Sequence, residues 1–404
     1  MNQKSRILFV CYANSTHAQS WINLLHDSPF EARIFTTHLL SMDFGWTPEW
    51  NFSTYVTVRP EVKPGMKAPV FWLLPGGKRV KTVSNWLDSH FNLTERYLRR
   101  IINTWKPDII HSLAMDKAGK LVRLALQGIS PEDRPGWVVS SYGNDICLDL
   151  YDPDKSENVK SILAQCDGFI ADCQRDCQLA VSGGLDPARL ALDHAVPGPG
   201  GLDLEVFARL RQSSSTRNII LAPKAFERDH PHNQTLVILE AFRLLGEDFL
   251  QNYEIHFNMC SKSVITYLRM MPEWIQKRVQ CHAMLPQDEL FAQMARARVM
   301  VAPSLTDGTP NVMLEAMAAG ALPLMSPVDS IQEWITNGEN GLLAHALYPD
   351  QVAEALRRAL MDDELFEEAQ RLNWEIVCQR ADRLKVRREV LEYYLNLNQS
   401  RKIL

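Results

Sequence analysis

Two acidic side chains, Asp307 and Glu315, stand with seven residues between them in the stretch Ala302-Pro-Ser-Leu-Thr-Asp-Gly-Thr-Pro-Asn-Val-Met-Leu-Glu-Ala-Met-Ala-Ala-Gly320. Asp307-Gly308-Thr309-Pro310 has the composition of a turn. Asn311 to Ala319 reads as a helix, and Gly320 as the glycine that closes it. A helix that begins at such a turn presents N–H groups without helical partners and the positive end of its dipole, which together suit phosphate. Beside a phosphate, two carboxylates would repel it. They fit better as acceptors of hydroxyl hydrogen bonds. A polyol joined to a phosphate is a nucleotide sugar, so that is the ligand class these residues predict.

A helix end has to be aimed by a strand, and Val299-Met-Val-Ala302 precedes this one. The same alternation runs along the chain. Residues 6–12, 106–111, 137–142, 166–172, 218–222 and 253–259 read as short strands. Residues 15–25, 115–127 and 233–245 carry helical periodicity. Short strands separated by amphipathic helices imply βαβ units and parallel sheets. In such sheets ligands bind beyond the carboxyl ends of the strands. Pro197-Gly-Pro-Gly-Gly201 and the polar Arg211–Thr216 run punctuate the middle of the chain. They predict a boundary between an N-terminal domain over 1–205 and a second over 217–375; a C-terminal helix is expected over 376–404. Residues 44–82, with Trp46, Trp50, Trp72 and several prolines, read as a long loop or insertion.

Composition narrows the class. Of 404 residues 46% are hydrophobic and 23% charged, which excludes a disordered chain or a coiled coil. A net charge of −5 does not indicate a basic nucleic-acid binder. No window is long and apolar enough for a membrane span, and Ile7–Tyr12 is too short for a secretory signal, so a cytoplasmic location is expected. The eight cysteines are scattered and include no Cys-x-x-Cys pair, so they read as small packed residues rather than as zinc ligands or disulfides.

With its neighbours, the 302–320 stretch resembles the signature of family 4 glycosyltransferases, group 1 enzymes with the GT-B fold. In that signature two acidic residues are separated by seven others; here Asp307 stands where Glu is usual. Glu333 and Asn337-Gly-Glu-Asn-Gly-Leu-Leu343 are similar to the segment that follows it in the family. Gln165–Ile170, Pro199–Asp203 with Phe207, and Leu285–Leu290 resemble other family segments, so that the resemblance covers about residues 100–360. It implies an α/β protein of two Rossmann-like domains facing each other across a cleft. It also implies transfer of a sugar, with retention at the anomeric carbon, from a UDP- or GDP-linked donor. The acceptor would be a glycan, a lipid-linked saccharide or a small molecule. Neither a cofactor nor a metal is expected. A place in polysaccharide biosynthesis and a peripheral membrane contact are compatible with it. The cationic run Arg380, Arg383, Lys385, Arg387 and Arg388 reads as a solvated face rather than a lipid patch.

The resemblance also distributes roles. Glu315 would hold the donor ribose. Asp307 would touch the transferred sugar, and Gly308 would let the backbone approach it. Thr309 belongs to the same turn. Backbone N–H groups at Asn311 and Val312 would cap the diphosphate, and Met284 lies in the segment expected near the base. Lys224 replaces the family's usual Arg, giving a point charge for a bidentate fork. Asn233 stands where the family carries a second cation, and Arg228, His230 and His232 are candidates to compensate. In the first domain Tyr142-Gly143-Asn144-Asp145 replaces a His-Gly-x-Asp loop. Tyr142 and Asp145 are thus expected in the catalytic region, Tyr142 either as a hydrogen-bond donor or as an aromatic wall. Asn14, Thr16, His17 and His111 are expected near the acceptor or donor phosphate, with a surface role open for His17 and a semi-buried one for His111. The competing readings are a degenerate sugar-nucleotide binder and a GT-B epimerase or phosphorylase.

Overall fold

Parallel strands covered on both faces read as continuous apolar runs, and this chain folds into two sheets of that kind. The computed structural model describes residues 4–37, 51–53, 90, 92–130, 132–192, 194–211, 217–226 and 232–403. Its backbone falls into two compact units: Met1–Gly200 together with Lys385–Leu404, and Gly201–Leu384.

In the first unit the strands are β1 (Ser5–Cys11), β2 (Phe30–Thr36), β3 (Asn51–Ser53), β4 (Ile109–Leu113), β5 (Gly136–Ser141) and β6 (Gly168–Ala171). They form one sheet in the order β3-β2-β1-β4-β5-β6, with every pairing parallel. Every residue of β4, β5 and β6 is buried. The expected helix over 115–127 starts instead as a π turn, Met115–Gly119, and becomes α-helical over Lys120–Leu126. The helix Leu93–Trp105 covers this sheet with Leu98, Ile101, Ile102 and Trp105. Sequence periodicity had not singled it out.

The last helix, Arg383–Ile403, packs into the first unit. Its Tyr394 is fully buried and receives a hydrogen bond from the Trp21 indole at 3.0 Å. Arg387, one of the cationic run, donates to the carbonyls of Leu24 and His26. In the second unit Arg380 lies over the Trp334 ring, 3.8 Å from its centroid. Two of the five cations expected on a solvated face therefore hold the fold together, while Lys385 and Arg388 remain exposed.

The second unit contains β7 (Ile219–Ala222), β8 (Glu254–Phe257), β9 (Val279–Cys281), β10 (Ala297–Val301), β11 (Leu322–Met325) and β12 (Leu342–Leu343). Their order is β12-β11-β10-β7-β8-β9, again all parallel. The chain winds outward from β7 in one direction and from β10 in the other. The topological switch point thus lies between β7 and β10, where ligands of doubly wound sheets bind. In the first unit the equivalent point lies between β1 and β4.

The aromatic-rich stretch 44–82 lies, apart from 51–53, outside the described residues. Among the described residues no helix is long and apolar enough to cross a membrane.

Candidate active site

The helix Asn311–Ala319 has the predicted bounds. Seven of its nine residues are buried, among them Met313, Leu314 and Met317, so it is held as an interior element rather than an amphipathic surface one. Gly320 ends it at φ 86°, in the left-handed region glycine reaches at low cost. A Cβ there would stand 2.8 Å from the Arg217 guanidinium. Arg217 in turn donates to the Ala319 carbonyl at 2.9 Å, a cation at the negative end of the helix. At the other end Pro310 is the N-cap and gives no side-chain cap. The N-terminal N–H groups around Asn311 and Val312 are thus presented beyond β10, beside the switch point.

The turn before this helix is built from distant parts of the second unit. Asp307 Oδ1 accepts from the N–H of the next residue, Gly308, at 2.9 Å. Its backbone carbonyl accepts from Ser330 Oγ at 2.7 Å. Thr309 Oγ1 accepts from the Trp334 indole at 3.1 Å, and Thr309 is buried. Thr309, expected to bind donor, also holds the turn, its hydroxyl oxygen accepting from the Trp334 indole. Ser330 and Trp334 are supporting residues that the motif does not reveal, because both contacts cross more than twenty positions of chain.

Glu315 lies one turn into the helix and is half-buried. Burial pushes its carboxyl up to about 7, partly opposed by the positive charge of Lys224. Among the described residues its carboxylate makes no side-chain hydrogen bond. Lys224 lies two residues beyond the end of β7, and its carbonyl accepts weakly from Thr235 Oγ1. Asn233 pairs with Ser304 across an antiparallel bridge, and Leu305 N–H donates to the His232 carbonyl at 2.8 Å. The position where a second cation is usual is thereby tied to the motif loop, with an uncharged side chain. Arg228 and His230 lie outside the described residues. Met284 is 69% exposed, just beyond β9.

In the first unit the sequence-predicted residues are treated differently. Asp145 accepts from Met115 N–H at 2.9 Å, Ser141 Oγ at 2.6 Å and Tyr142 N–H at 3.0 Å. Burial raises its carboxyl to about 6 against those three donors. It is the knot that joins the end of β5 to the turn after β4. Tyr142 turns its hydroxyl into the protein, and burial holds that hydroxyl well above the usual phenol range. Its ring edge meets His17, with centroids 5.8 Å apart, and both pack around Gly198. The arrangement gives Tyr142 the role of a wall. His111, expected at a strand end near ligand, is instead the middle residue of β4 and fully buried. Its Nδ1 meets Tyr394 Oη at 2.6 Å and its Nε2 meets Ser140 Oγ at 2.8 Å. Burial pushes it down to about 3, so it stays neutral. The strand runs two residues further than its composition suggested, which moves His111 from the rim to the core. Asn14 and His17 are half-buried and Thr16 exposed, at the end of β1, where Ser15 caps the short helix Thr16–Ile22.

Asp172, Cys173 and Asp176, all buried, bring their ligand atoms within 4.8 Å of one another. Arg175 already meets Asp176 at 2.8 Å, which places a positive charge inside that group.

Both units carry a doubly wound parallel sheet, and known structures share the arrangement. The fold is GT-B. One GT-B neighbour is sucrose-phosphate synthase from Thermosynechococcus elongatus, with a TM-score of 0.71 and 14% identity over 98% of this chain and 100% of that one. Another is Anabaena HepE, solved in complex with UDP and glucose, with a TM-score of 0.68 and 14% identity over 97% and 100%. Residues 218–362 match the family model described as Glycosyl transferases group 1. D-inositol 3-phosphate glycosyltransferase of Corynebacterium glutamicum (strain R) is 32% identical over 100 residues. That match takes in 24% of this chain and 24% of the curated relative's length.

Proposed function

We propose that this chain is a glycosyltransferase that takes a hexosyl unit from a UDP- or GDP-linked sugar. The second unit holds the donor. The ribose hydroxyls bind the Glu315 carboxylate, and the diphosphate sits on the N–H groups around Asn311 and Val312 with Lys224 beside it. The transferred sugar lies against Asp307 and Gly308, and the base lies along the segment 281–285. The observation that carries this reading is the set of groups at the second switch point: a half-buried carboxylate, a helix start without a side-chain cap, and a lysine at the neighbouring strand end. The group 1 match over 218–362 supports it.

The chemistry follows from that arrangement. As the sugar–phosphate bond breaks, negative charge develops on the departing diphosphate. The helix start and Lys224 stabilise it, and such preorganised charge acts where water is excluded. Asp307 orients the sugar. In the retaining course we assign, the leaving phosphate accepts the acceptor's proton on the face it departs from. Acceptor recognition falls to the first unit, around Asn14, Thr16 and His17. We assign the chain to family 4 and its acceptor to the saccharide or lipid-linked class.

A donor panel tests this reading. UDP, GDP, ADP and their common sugar conjugates are titrated into the protein by calorimetry, and nucleotide release is followed. Saturable binding of one nucleoside diphosphate, with its slow release from the matching conjugate, is expected. Absence of binding to every member overturns the proposal and points to the uncharged Asn233 position.

A further inference from the structure

Two thiols stand beside the segment assigned to the base. β8 and β9 run in parallel with Phe257 opposite Cys281. Beyond them the chains stay joined, with His282 N–H bonded to the Phe257 carbonyl at 2.8 Å and Cys260 N–H to the His282 carbonyl at 3.1 Å. Met259 takes φ 57°, a left-handed conformation uncommon for a residue with a Cβ. That turn carries Cys260 back toward the strand it has left, and its thiol meets the Phe257 carbonyl at 3.4 Å. The pairing sets Cys260 against His282, the residue after Cys281, and the two neighbouring thiols shift each other's titration in opposite directions. Cys281 is exposed and Cys260 half-buried; both are reduced. Of the other free thiols, Cys11, Cys166, Cys173 and Cys177 are buried and Cys147 and Cys378 half-buried, so Cys281 is the exposed one among the described residues.

The loop that carries Cys260 has a second attachment. Ala225 N–H donates to the Asn258 carbonyl at 2.8 Å, and Ser261 N–H to the Ala225 carbonyl at 2.9 Å. Residues 258–261 therefore form a bridge between Lys224-Ala225 on one side and His282-Ala283 on the other. A change at Cys260 reaches both.

We propose that Cys260 and Cys281 form a dithiol modification site that a small disulfide oxidant such as glutathione disulfide closes reversibly to a protein disulfide. The Cys281 thiolate attacks one sulfur of the oxidant. A mixed disulfide forms and the first glutathione leaves as a thiolate, which takes up the Cys281 proton. The Cys260 thiol then loses its proton, attacks Cys281 Sγ and releases the second glutathione as a thiol. Two protein thiols are oxidised and one disulfide is reduced to two thiols. Exposure makes Cys281 the entry point, and the neighbouring Cys260 thiol holds its thiol below the usual range, which favours the attacking thiolate. Closure brings the sulfurs to roughly 2 Å and draws the 258–261 loop onto 281–283. On the donor reading above, it stiffens the wall that must admit the base, and the nucleotide binds less tightly.

The chemical arm needs no nucleotide. Reduced full-length protein is incubated with glutathione disulfide and mapped by non-reducing peptide mass spectrometry. A Cys260–Cys281 link with the loss of two hydrogens, reversed by dithiothreitol, is expected. Cys260→Ser should accumulate glutathione on Cys281, because nothing resolves it, and Cys281→Ser should leave Cys260 almost unmodified. A stable glutathione adduct on Cys281 in the unaltered protein, or no link between the two, overturns the proposal. In the second arm UDP and GDP are titrated into the reduced and oxidised forms. A loss of affinity of about tenfold on oxidation, absent in Cys260→Ser, is expected. Equal affinity in both forms overturns the effect on the donor. No nucleotide binding in either form, with the link still forming, overturns the donor reading and leaves the dithiol standing.

Discussion

Asp145 and Glu315 are both carboxylates beyond the ends of parallel strands, and burial raises both, to about 6 and about 7. They differ in what surrounds them. Asp145 is held by three donors from its own unit. Glu315 has only the charge of Lys224 nearby among the described residues. The contrast extends to their neighbours. His111, Ser140, Tyr394 and Trp21 satisfy one another inside the first unit. Around Glu315 lie a helix start without a side-chain cap and the charge of Lys224. Two sheets of one topology thus treat buried polarity in opposite ways: one uses its carboxylate to join elements, and the other, on the function proposed above, keeps its carboxylate for a ligand. Burial of a carboxylate without donors lowers stability, a cost that an arriving ligand would offset.

The largest expected effect tests the receiving side. Asp307→Ala should slow nucleotide release from the sugar conjugate by about 100-fold or more, the scale of removing one group that orients or stabilises the reacting centre. The melting temperature should change little, since only the Gly308 contact is lost. Glu315→Ala should weaken nucleotide binding about 30- to 100-fold, reflecting hydrogen bonds to a charged group at about 1.5–3 kcal/mol each. It should leave the melt unchanged or raised. Asp145→Ala is the mirror experiment. It strands the Met115 and Tyr142 N–H groups and should cost about 2–4 kcal/mol of stability in denaturant titrations, while folded molecules bind nucleotide normally. If Asp145→Ala spares stability and Glu315→Ala abolishes it, the two sites have been assigned the wrong way round.

Next in size is the dependence on pH. A diol binds the ionised Glu315, so affinity should rise about tenfold per unit up to about pH 7 and level off above it. Calorimetry in buffers of different ionisation enthalpy should register proton release at pH 6. For the empty protein the sign reverses. A carboxyl raised from 4.5 to about 7 in the fold holds its proton more tightly there than in the unfolded chain. Stability should therefore fall as pH rises between these values, and Glu315→Gln should flatten that slope. The smallest effect concerns Lys224. Lys224→Arg should tighten diphosphate binding by about threefold, since a planar fork matches phosphate better than an ammonium. Lys224→Ala should move the pH midpoint upward, because the charge that opposes the rise of Glu315 is gone.

The second unit was the more legible of the two, for a physical reason. The Asp307–Pro310 turn, the helix Asn311–Ala319 and the Gly320 stop depend on residues a few positions apart, and local chemistry decides such features. The switch-point position followed from strand alternation. In the first unit the same kind of reasoning placed Asp145 and Tyr142 near the end of β5, gave Asp145 to ligand and left Tyr142 open between a hydrogen-bond donor and an aromatic wall. Their partners come from Met115 and Ser141, and the Tyr142 hydroxyl turns inward. No local pattern announces that. His111 shows the sharpest difference. A strand end misplaced by two residues exchanges a rim position for one at the centre of the sheet, where Tyr394, 283 positions away, meets it.

Turn residues, helix stops, apolar runs and the spacing of Asp307 and Glu315 act within a few residues of chain. They suffice to settle two parallel α/β units and the helix start that the proposed function assigns to phosphate. The commitment of each polar side chain is settled otherwise. Thr309 is held by Trp334, Asp307 is braced by Ser330, and Cys260 is brought to Cys281 by contacts that exist only once the sheets are assembled. A hydrogen bond acts over about 3 Å, so which groups become partners depends on packing, and packing brings together residues that the linear order keeps apart.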